Sequence, residues 1–500
     1  MNKIYKNSIS LNSQPDVDDF LLSLRAIGNQ PKGLFIEIKE VIKLAQQFNQ
    51  EVVRPNAALI DRKIQENPDY LAMELVEKAN EWGFYTLWIP KIFGGKGYSL
   101  PSLAHFLEEI ASACAATSNL IGVHYLGLAT FISSWNTKLA IKICNDVLEG
   151  EKIGLPRLIS LALTEPDAGT DIEETVLMDK GQINCHAKRV DGGYIVNGNK
   201  VFISNGHISR WHILFSFSDT SKPSENLVML AVKTGTPGLS FGKIERKMGQ
   251  KACPASELVF KDCFVSDEFV CIDPSQIKKL NRSASETTMQ IIDYIFSASR
   301  AGVGAFGTGV ARGAYEESLK FASSTKINGD FLINYEWVQS LLAEMYKNVT
   351  ISRLAYIEAN YASSMYGMFK MLQVKPIYYL FKWLPSSFIQ SIVIPVLRNK
   401  WSTHFFRWLH FDRQTEEEIF RSSGWGSMAK FSCTDNGVKN AQLAMELMGQ
   451  AGIRQENLVE KHLRDAKLMQ IYEGTNQLNR INLFKCMISH NNPHVKVFEN

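Results

Sequence analysis

The sequence predicts an α+β fold in which a helical region, a β region and a second helical region follow one another. Apolar residues recur every three to four positions in the first and last parts of the chain, which is typical of amphipathic helices. The middle of the chain instead holds short β-type runs separated by glycine turns. With 500 residues, of which 45% are hydrophobic and 21% charged, the chain is long enough for two or three globular domains.

The first helical region is predicted over residues 33–160, after an N-terminal extension, 1–32. The extension has no apolar core that could serve as a signal peptide, so we expect a cytoplasmic protein. The stretch "GLFIEIKEVIKLAQQFNQEVV" shows the helical spacing. The charge-free run 110–137 contains too many Ser, Thr and Asn side chains for a spanning helix, and we interpret it as buried helices.

The β region is predicted over residues 161–284, with runs such as "GGYIVNGNKVFISNG" and "LVMLAVKTGTPGLSFGKI". Helical spacing returns over 285–490. A helix near 300–314 contains five glycines, which would destabilise an exposed helix, so it predicts close packing against other helices. These are Gly302, Gly304, Gly307, Gly309 and Gly313.

The net charge and the cysteine pattern limit the possible partners. A formal charge of +3 and a pI near 8.2 are too small to indicate nucleic acid as the main partner. The eight cysteines are scattered without a CxxC pair or a histidine at metal-ligand spacing. We therefore expect free thiols in a reducing compartment and no metal site.

Three short segments could carry chemistry. The turn "LALTEPDAGTD" contains Thr164, Gly169 and Thr170 with free backbone amides, which suits phosphate or ring carbonyls but also an ordinary surface turn. In "NGNKVFISNG", Phe202 and Ser204 fall on one side of a strand, which suits either a flat heterocycle or a buried ring. The glutamate of "YEGT" is, by itself, as readily a helix-end charge as a base.

Taken together, four segments resemble the acyl-CoA dehydrogenase family, in order and at the family's spacing. They are "LTEPDAGTD", "GNKVFISNG", "KTGTPGLSFGKIERKMGQKACPASELVFKDCFV" and "LRDAKLMQIYEGTNQLNR". The resemblance covers residues from about 35 to 490, apart from one insertion. It implies a β-barrel or sandwich middle domain, a C-terminal four-helix bundle, and FAD as the cofactor. It further implies α,β-desaturation of an acyl-CoA, electron transfer to an electron-transfer flavoprotein, and a homodimer or homotetramer.

The resemblance also assigns roles to individual residues. Glu473 matches the catalytic base, and we expect burial to raise its pKa. The cofactor-binding positions implied are Thr164, Gly169, Thr170, Phe202, Ser204, Thr475 and Gln477. The substrate-binding positions implied are Thr170, Phe296, Ser297 and Arg300.

The assignments of Arg300 and of the base Glu473 each need a further remark. Arg300 is expected to steady the loop that carries the base, or else to form only a buried salt bridge within the helices. Some relatives keep the base just before this arginine, where the present chain has Ser299, which cannot serve.

The chain departs from the family where a neighbouring subunit clamps the adenosine and pyrophosphate of FAD. In "TKING" and "ELMGQ", Thr325, Asn328, Glu446 and Gln450 replace an Arg, a Phe, a Gln and a Gly. The changes remove a phosphate contact and add a negative charge, although Lys326 could compensate. We expect weaker FAD binding or a rearranged subunit interface.

The largest departure is the insertion, residues 368–423, which is rich in aromatic and aliphatic residues interleaved with Lys and Arg. It could lie on an anionic membrane surface, dock a partner protein, or form an extra hairpin packed on the bundle. Two functional alternatives also remain. One is an acyl-CoA oxidase that uses oxygen, and the other is a catalytically weak flavin-binding or partner-binding protein.

Overall fold

The computed structural model describes residues 22–277, 282–385, 388–397, 399–492 and 494–499. Within these ranges the elements follow the predicted order of helices, strands and helices, so the α+β class is confirmed. The first 21 residues of the predicted N-terminal extension lie outside the described ranges. The domain boundaries at 33, 161 and 285 stay predictions.

The N-terminal region is helical. Its helices are α1 (Leu22–Asn29), α2 (Lys32–Phe48), α3 (Arg54–Glu66), α4 (Met73–Glu81), α5 (Leu100–Ala113), α6 (Ala115–Ser133) and α7 (Thr137–Lys152). By length and composition alone, α6 could cross a bilayer, which differs from the prediction. However, 83% of its most apolar window is buried inside the fold. Along the part of the chain that the structure describes, no other helix meets the same length and hydropathy test.

The middle region forms one eight-stranded mixed sheet. Its strands are β1 (Leu158–Ala162), β2 (His186–Val190), β3 (Gly193–Ser204), β4 (Ser209–Phe217), β5 (Leu227–Lys233), β6 (Leu239–Ile244), β7 (Ala255–Ser266) and β8 (Val270–Ile272), with the short helix α8 (Thr175–Met178) between β1 and β2. The order across the sheet is β6-β7-β3-β2-β4-β5-β8, and β1 pairs in parallel with β4. One face of the sheet packs on the helices, and the other encloses a core of its own, including Val196, Leu214 and Phe260.

The C-terminal region is a bundle of long helices. Its elements are α9 (Pro274–Ile277), α10 (Ala284–Ser324), the hairpin β9 (Lys326–Ile327) and β10 (Asp330–Phe331), α11 (Glu336–Tyr366), α12 (Lys375–Trp383), α13 (Ile394–Leu397), α14 (Lys400–Arg407), α15 (Glu416–Met448), α16 (Val459–Met469) and α17 (Asn476–Leu483). A capping box between Ser283 and Glu286 starts α10.

The glycines of α10 sit where other backbones approach. A Cβ at Gly307 would lie 2.8 Å from the backbone of Cys433 on α15, and one at Gly313 would lie 2.3 Å from the carbonyl of Ser112. The predicted close packing is therefore confirmed at these two positions. Gly302 has open space around it, and it lies on the wall of the cavity described below.

The insertion is a chain of short helical pieces, including α12, α13 and α14, and its inner side packs on the helical regions. Trp135, at the end of α6, stacks on Phe406 and His410, with ring centroids 5.1 and 4.1 Å apart. Gln290 of α10 donates to the carbonyl of Phe411 at 2.9 Å. All eight cysteines are buried and free, as expected, and no metal-ligand cluster occurs among the described residues.

Candidate functional site

A cavity with about 1230 Å³ of empty space, including its open mouth, lies between the sheet, α5, α6 and α10. Much of its wall is apolar, including Leu103, Leu107, Val123, Leu126, Phe306 and Phe369. Its polar lining includes Thr164, Ser204, Glu173 and Glu473, and we call the part of the wall that they form the polar end. Met368 and Phe369, the first two residues of the insertion, line the cavity as well. Such a space suits a flexible apolar chain with a polar head.

A buried ion pair joins the two sheet segments that line this polar end. The ammonium of Lys200, on β3, lies 2.8 Å from the Glu165 carboxylate, and both side chains are fully buried. Lys200 also donates to the carbonyl of Leu163 at 2.8 Å, and the Val201 amide donates to the carbonyl of Thr164 at 2.9 Å. The turn that begins at Thr164 is thereby fixed beside the end of β3.

At the end of β3 the strand bulges, since its register against β7 shifts between Lys200 and Ile203. Phe202 sits in the bulge with φ +58°, and its ring is 58% exposed. Regular strand alternation is therefore lost, yet Phe202 and Ser204 both line the cavity. The Thr164 hydroxyl has no hydrogen-bond partner among the described residues, so it can donate to a bound molecule.

The loop that carries Glu473 is held by side chains from three helices. Glu473 itself has φ +55°. Asn479 donates to the carbonyls of residues 473, 474 and 475 at 2.9 to 3.2 Å. Lys430, fully buried on α15, donates to the carbonyl of Gly474 at 2.6 Å, and Arg300 donates to the carbonyl of Glu473 at 3.4 Å.

The Glu473 carboxylate is partly buried at the cavity wall, and burial raises its pKa to about 7. The neighbouring Glu173 raises the pKa further, whereas the Ser299 hydroxyl, which donates to the carboxylate at 2.6 Å, lowers it, as do Arg300 and Lys430. The expected rise of the pKa is confirmed. At neutral pH a group with this pKa exists in both protonation states, which suits proton transfer.

Three charged side chains lie near Glu473: the cations Arg300 and Lys430 and the carboxylate Glu173. Arg300 is 2% exposed and pairs with Glu173 at 3.0 Å. Burial lowers the pKa of Lys430 to about 7, against the opposing effect of Glu173. Arg300 therefore forms a buried salt bridge with Glu173 and also contacts the loop that carries Glu473, while its role in steadying that loop stays a prediction.

Several predicted site residues lie away from the cavity wall. Ser297 is buried where α10 meets α15, since a Cβ at Gly426 would touch its backbone. Thr475 caps α17, accepting from the Leu478 amide at 3.1 Å, and Gln477 is exposed. Gly169 is exposed and Thr170 partly buried at the 3₁₀ turn Thr170–Glu173. Of the predicted substrate residues, only Phe296 lines the cavity.

The segments predicted to hold the far end of the cofactor are on the surface of this chain. Asn328 and Gly329 form the tip of the β9–β10 hairpin, with φ +52° and +89°. The ammonium of Lys326 lies 4.6 Å from the centre of the Phe331 ring. Glu446 and Gln450, at the end of α15, are exposed.

Comparison with known proteins gives a consistent result over the whole fold. Three domain families match the chain: "Acyl-CoA dehydrogenase, N-terminal domain" over residues 37–140, "middle domain" over 160–263, and "C-terminal domain" over 289–382 and 410–488. The break between 382 and 410 lies within the insertion.

Individual relatives agree with the domain matches. Cyclohex-1-ene-1-carbonyl-CoA dehydrogenase of Syntrophus aciditrophicus is 28% identical over 400 residues, which is 80% of this chain and 78% of the relative. Butyryl-CoA dehydrogenase of Megasphaera elsdenii shares the fold with a TM-score of 0.68 at 22% identity, covering 89% of this chain and 97% of that one. A glutaryl-CoA dehydrogenase of Mycobacterium smegmatis in complex with FADH2 has a TM-score of 0.66 at 18% identity, covering 90% and 93%.

Proposed function

The chain belongs to the acyl-CoA dehydrogenase family of FAD-binding oxidoreductases that act on CH–CH groups, and we propose that it desaturates an acyl-CoA at the α,β position with Glu473 as the base. The observation that carries the proposal is the Glu473 carboxylate, with a pKa of about 7, at the polar end of an apolar cavity. A carboxylate in this state can remove the weakly acidic α-proton of a thioester.

The residues at the polar end fit the ring system of FAD. The unpartnered Thr164 hydroxyl and the Ser204 hydroxyl face the cavity, and the exposed Phe202 ring offers a flat apolar surface. When bound there, FAD supplies the acceptor for the hydride that leaves the substrate β-carbon. Gly169 and Thr170 are proposed for the pyrophosphate side, and Thr475 and Gln477 for contacts beyond the ring.

The protein groups would share the remaining work. The Glu473 carboxylate takes the α-proton, and the Ser299 hydroxyl orients that carboxylate. The Glu473 N–H has no acceptor among the described residues and is proposed to hold the thioester oxygen, where negative charge develops. Phe296 and the apolar wall would exclude water from the acyl chain, while Arg300 and Lys430 position the loop that carries the base.

The test is a visible absorption spectrum of the purified holoenzyme, titrated with acyl-CoAs of increasing length under argon. We expect the flavin band to bleach, with a preference for one range of chain lengths. A protein that retains FAD but shows no bleaching with any acyl-CoA would overturn the proposal and favour the catalytically weak alternative.

We propose an electron-transfer flavoprotein as the electron acceptor and the cytoplasm as the site of action, the latter because all eight thiols are free. The oxidase alternative predicts a different product, because an oxidase passes its electrons to oxygen and releases hydrogen peroxide in air without another acceptor. Turnover measured in air and under argon with an artificial acceptor separates the two. Peroxide formed at the rate of turnover would support the oxidase.

We also propose a homodimer or homotetramer. In the single chain, the β9–β10 hairpin and α11 expose large apolar residues, namely Ile327, Phe331, Trp337, Tyr346 and Leu354. Ile327 and Phe331 belong to the hairpin that matches the segment the family uses to reach a neighbouring FAD. Light scattering of the purified protein measures the assembly directly, and a monomer would contradict the proposal.

A further inference from the structure

A second exposed apolar area lies on the outer side of the insertion, and we call it the insertion surface. It consists of nine large apolar side chains that are 40% to 76% exposed. They are Val374, Leu380, Trp383, Phe388, Ile392, Val396, Trp401, Phe405 and Trp408. Several large apolar side chains exposed on one segment are typical of binding surfaces.

The spacing of these residues places them on single faces of their helical pieces. Phe388, Ile392 and Val396 are four residues apart, and Trp401, Phe405 and Trp408 follow at intervals of four and three. The rings of Trp401 and Phe405 are stacked with centroids 5.7 Å apart, and Phe405 lies 6.1 Å from Trp408. Exposed rings therefore form a joined cluster.

The exposure does not arise from loose packing of the insertion. Its opposite side is held by Ile389, which is fully buried, and by the Trp135 stack. Arg407 donates to the carbonyl of Ser134 at 2.9 Å, and Lys91 donates to the carbonyl of Lys382 at 2.8 Å. The insertion is thus amphipathic, with one side in the core and one side in solvent.

The positive charge of the insertion indicates which kind of partner its surface binds. Between Glu358 and Asp412 the sequence contains six Lys or Arg residues and no Asp or Glu. Exposed cations border the insertion surface at Lys375, Lys382 and Arg413. Tryptophan next to basic residues is the composition of segments that sit at the boundary between lipid headgroups and acyl chains.

From the exposed aromatic cluster and the exposed basic residues at its border, we propose that the insertion surface binds the face of an anionic lipid bilayer. The short helical pieces would lie in the plane of the membrane, since prolines 385 and 395 interrupt the apolar run and none of the pieces is long enough to span it. This proposal does not rest on the proposed function, because binding to vesicles requires no turnover.

The test is sedimentation of the holoenzyme with vesicles of phosphatidylcholine alone and of phosphatidylcholine mixed with phosphatidylglycerol. We expect the protein to pellet with the mixed vesicles at low salt and to be partly released at high salt. The variant W383S/W401S/W408S should bind about tenfold less or weaker still, because three interfacial anchors are lost. These three side chains are 76%, 63% and 47% exposed, so the fold should persist.

The matched control is L59S/I153S/L155S, which changes three aliphatic side chains, 49% to 63% exposed, outside the insertion. It should pellet like the parent protein, and thermal unfolding followed by circular dichroism reports folding of both variants. Equal pelleting of the tryptophan variant and its control would overturn the proposal, as would pelleting that ignores lipid charge. A change in oligomeric state confined to the tryptophan variant would instead assign the surface to a second copy of the chain.

Discussion

The two ends of the proposed flavin site are built in different ways. At the ring end, Glu473 lies in a network with Arg300, Glu173 and Lys430, three side chains drawn from three separate elements and almost wholly buried. At the adenosine end, Thr325 and Asn328 belong to a surface hairpin, and Glu446 is an exposed charge at a helix end. The first end is a buried network within one chain, whereas no such buried network surrounds Thr325, Asn328 and Glu446 in the part of the chain that the structure describes.

This difference indicates that the properties of the base are determined within a single chain, whereas we expect that cofactor affinity is not. The pKa and orientation of the base depend on groups at hydrogen-bond distance within one fold. We expect affinity for the far half of the cofactor to depend on which residues of another subunit face the hairpin. We therefore expect mutations at the ring end to change turnover and pH dependence, and mutations at the adenosine end to change cofactor affinity.

Replacing Glu473 with Gln should have the largest effect. Gln preserves the shape but cannot accept the α-proton, so turnover should fall by about 10² to 10⁴-fold, the usual contribution of a general base. Steady-state rates with an artificial electron acceptor measure the loss, and the visible spectrum should show FAD still bound. Bleaching of the flavin by acyl-CoA in E473Q at the parental rate would remove Glu473 from the mechanism.

The next effect concerns pH, and two variants should shift it in opposite directions. Glu473 must be ionised to act as a base, so activity should rise as pH passes through about 7. In E173Q a neighbouring negative charge is removed, so the pKa of Glu473 falls and activity appears at lower pH. In S299A the hydrogen bond that favours the ionised form is lost, so activity appears at higher pH.

Each shift should be about half to one pH unit, measured as the acid limb of kcat/KM. Each variant is the control for the other, because general damage to the site would not separate the two limbs in opposite directions. E173Q also breaks a buried pair with Arg300, so its Tm should fall. Acid limbs that coincide in the two variants would show that neither group sets the pKa of Glu473.

The smallest effect on turnover is expected at the adenosine end. T325R restores a cation for the pyrophosphate and should tighten FAD binding by about tenfold, the size of one charge-assisted hydrogen bond. E446Q removes the exposed negative charge and should tighten it by a smaller factor. Fluorescence titration of the apoprotein with FAD measures both, and turnover per bound FAD should not change. If T325R or E446Q lost turnover while its affinity for FAD stayed the same, the adenosine end would not act through cofactor affinity, and the proposed difference between the two ends would be wrong.

The sequence predicted the fold class and several residues of the cavity wall because those residues lie in long continuous motifs. Thr164, Phe202, Ser204 and Glu473 are of this kind. Glu173 and Lys430 were missed, since Glu173 on the 3₁₀ turn Thr170–Glu173 and Lys430 on α15 approach the base only through tertiary packing, and neither has a local motif. Lys430 alone gave a weak signal, as a lysine within the small-residue stretch "SMAKFSCTDNG".

Ser299 and Ser297 show the limit most directly. The sequence excluded Ser299 as a base, but it could not reveal a hydrogen bond to a residue 174 positions away. Ser297 was predicted to contact substrate, yet it is buried in the interface of α10 with α15. Ser297 and Ser299 are two positions apart on α10, yet Ser299 faces the cavity and Ser297 faces α15. Only the packing of the helices decides which side chain faces which way.

The left-handed backbone at Phe202 and Glu473 has a consequence for thermal stability. Both are residues with φ between +55° and +58°, a conformation that favours glycine and costs of order 1 kcal/mol each for other residues. Conformational strain is thus present at two residues that line the cavity. Glu473→Gly should relieve part of it and raise the Tm slightly while removing the base, so the most heat-resistant form of this loop would be an inactive one.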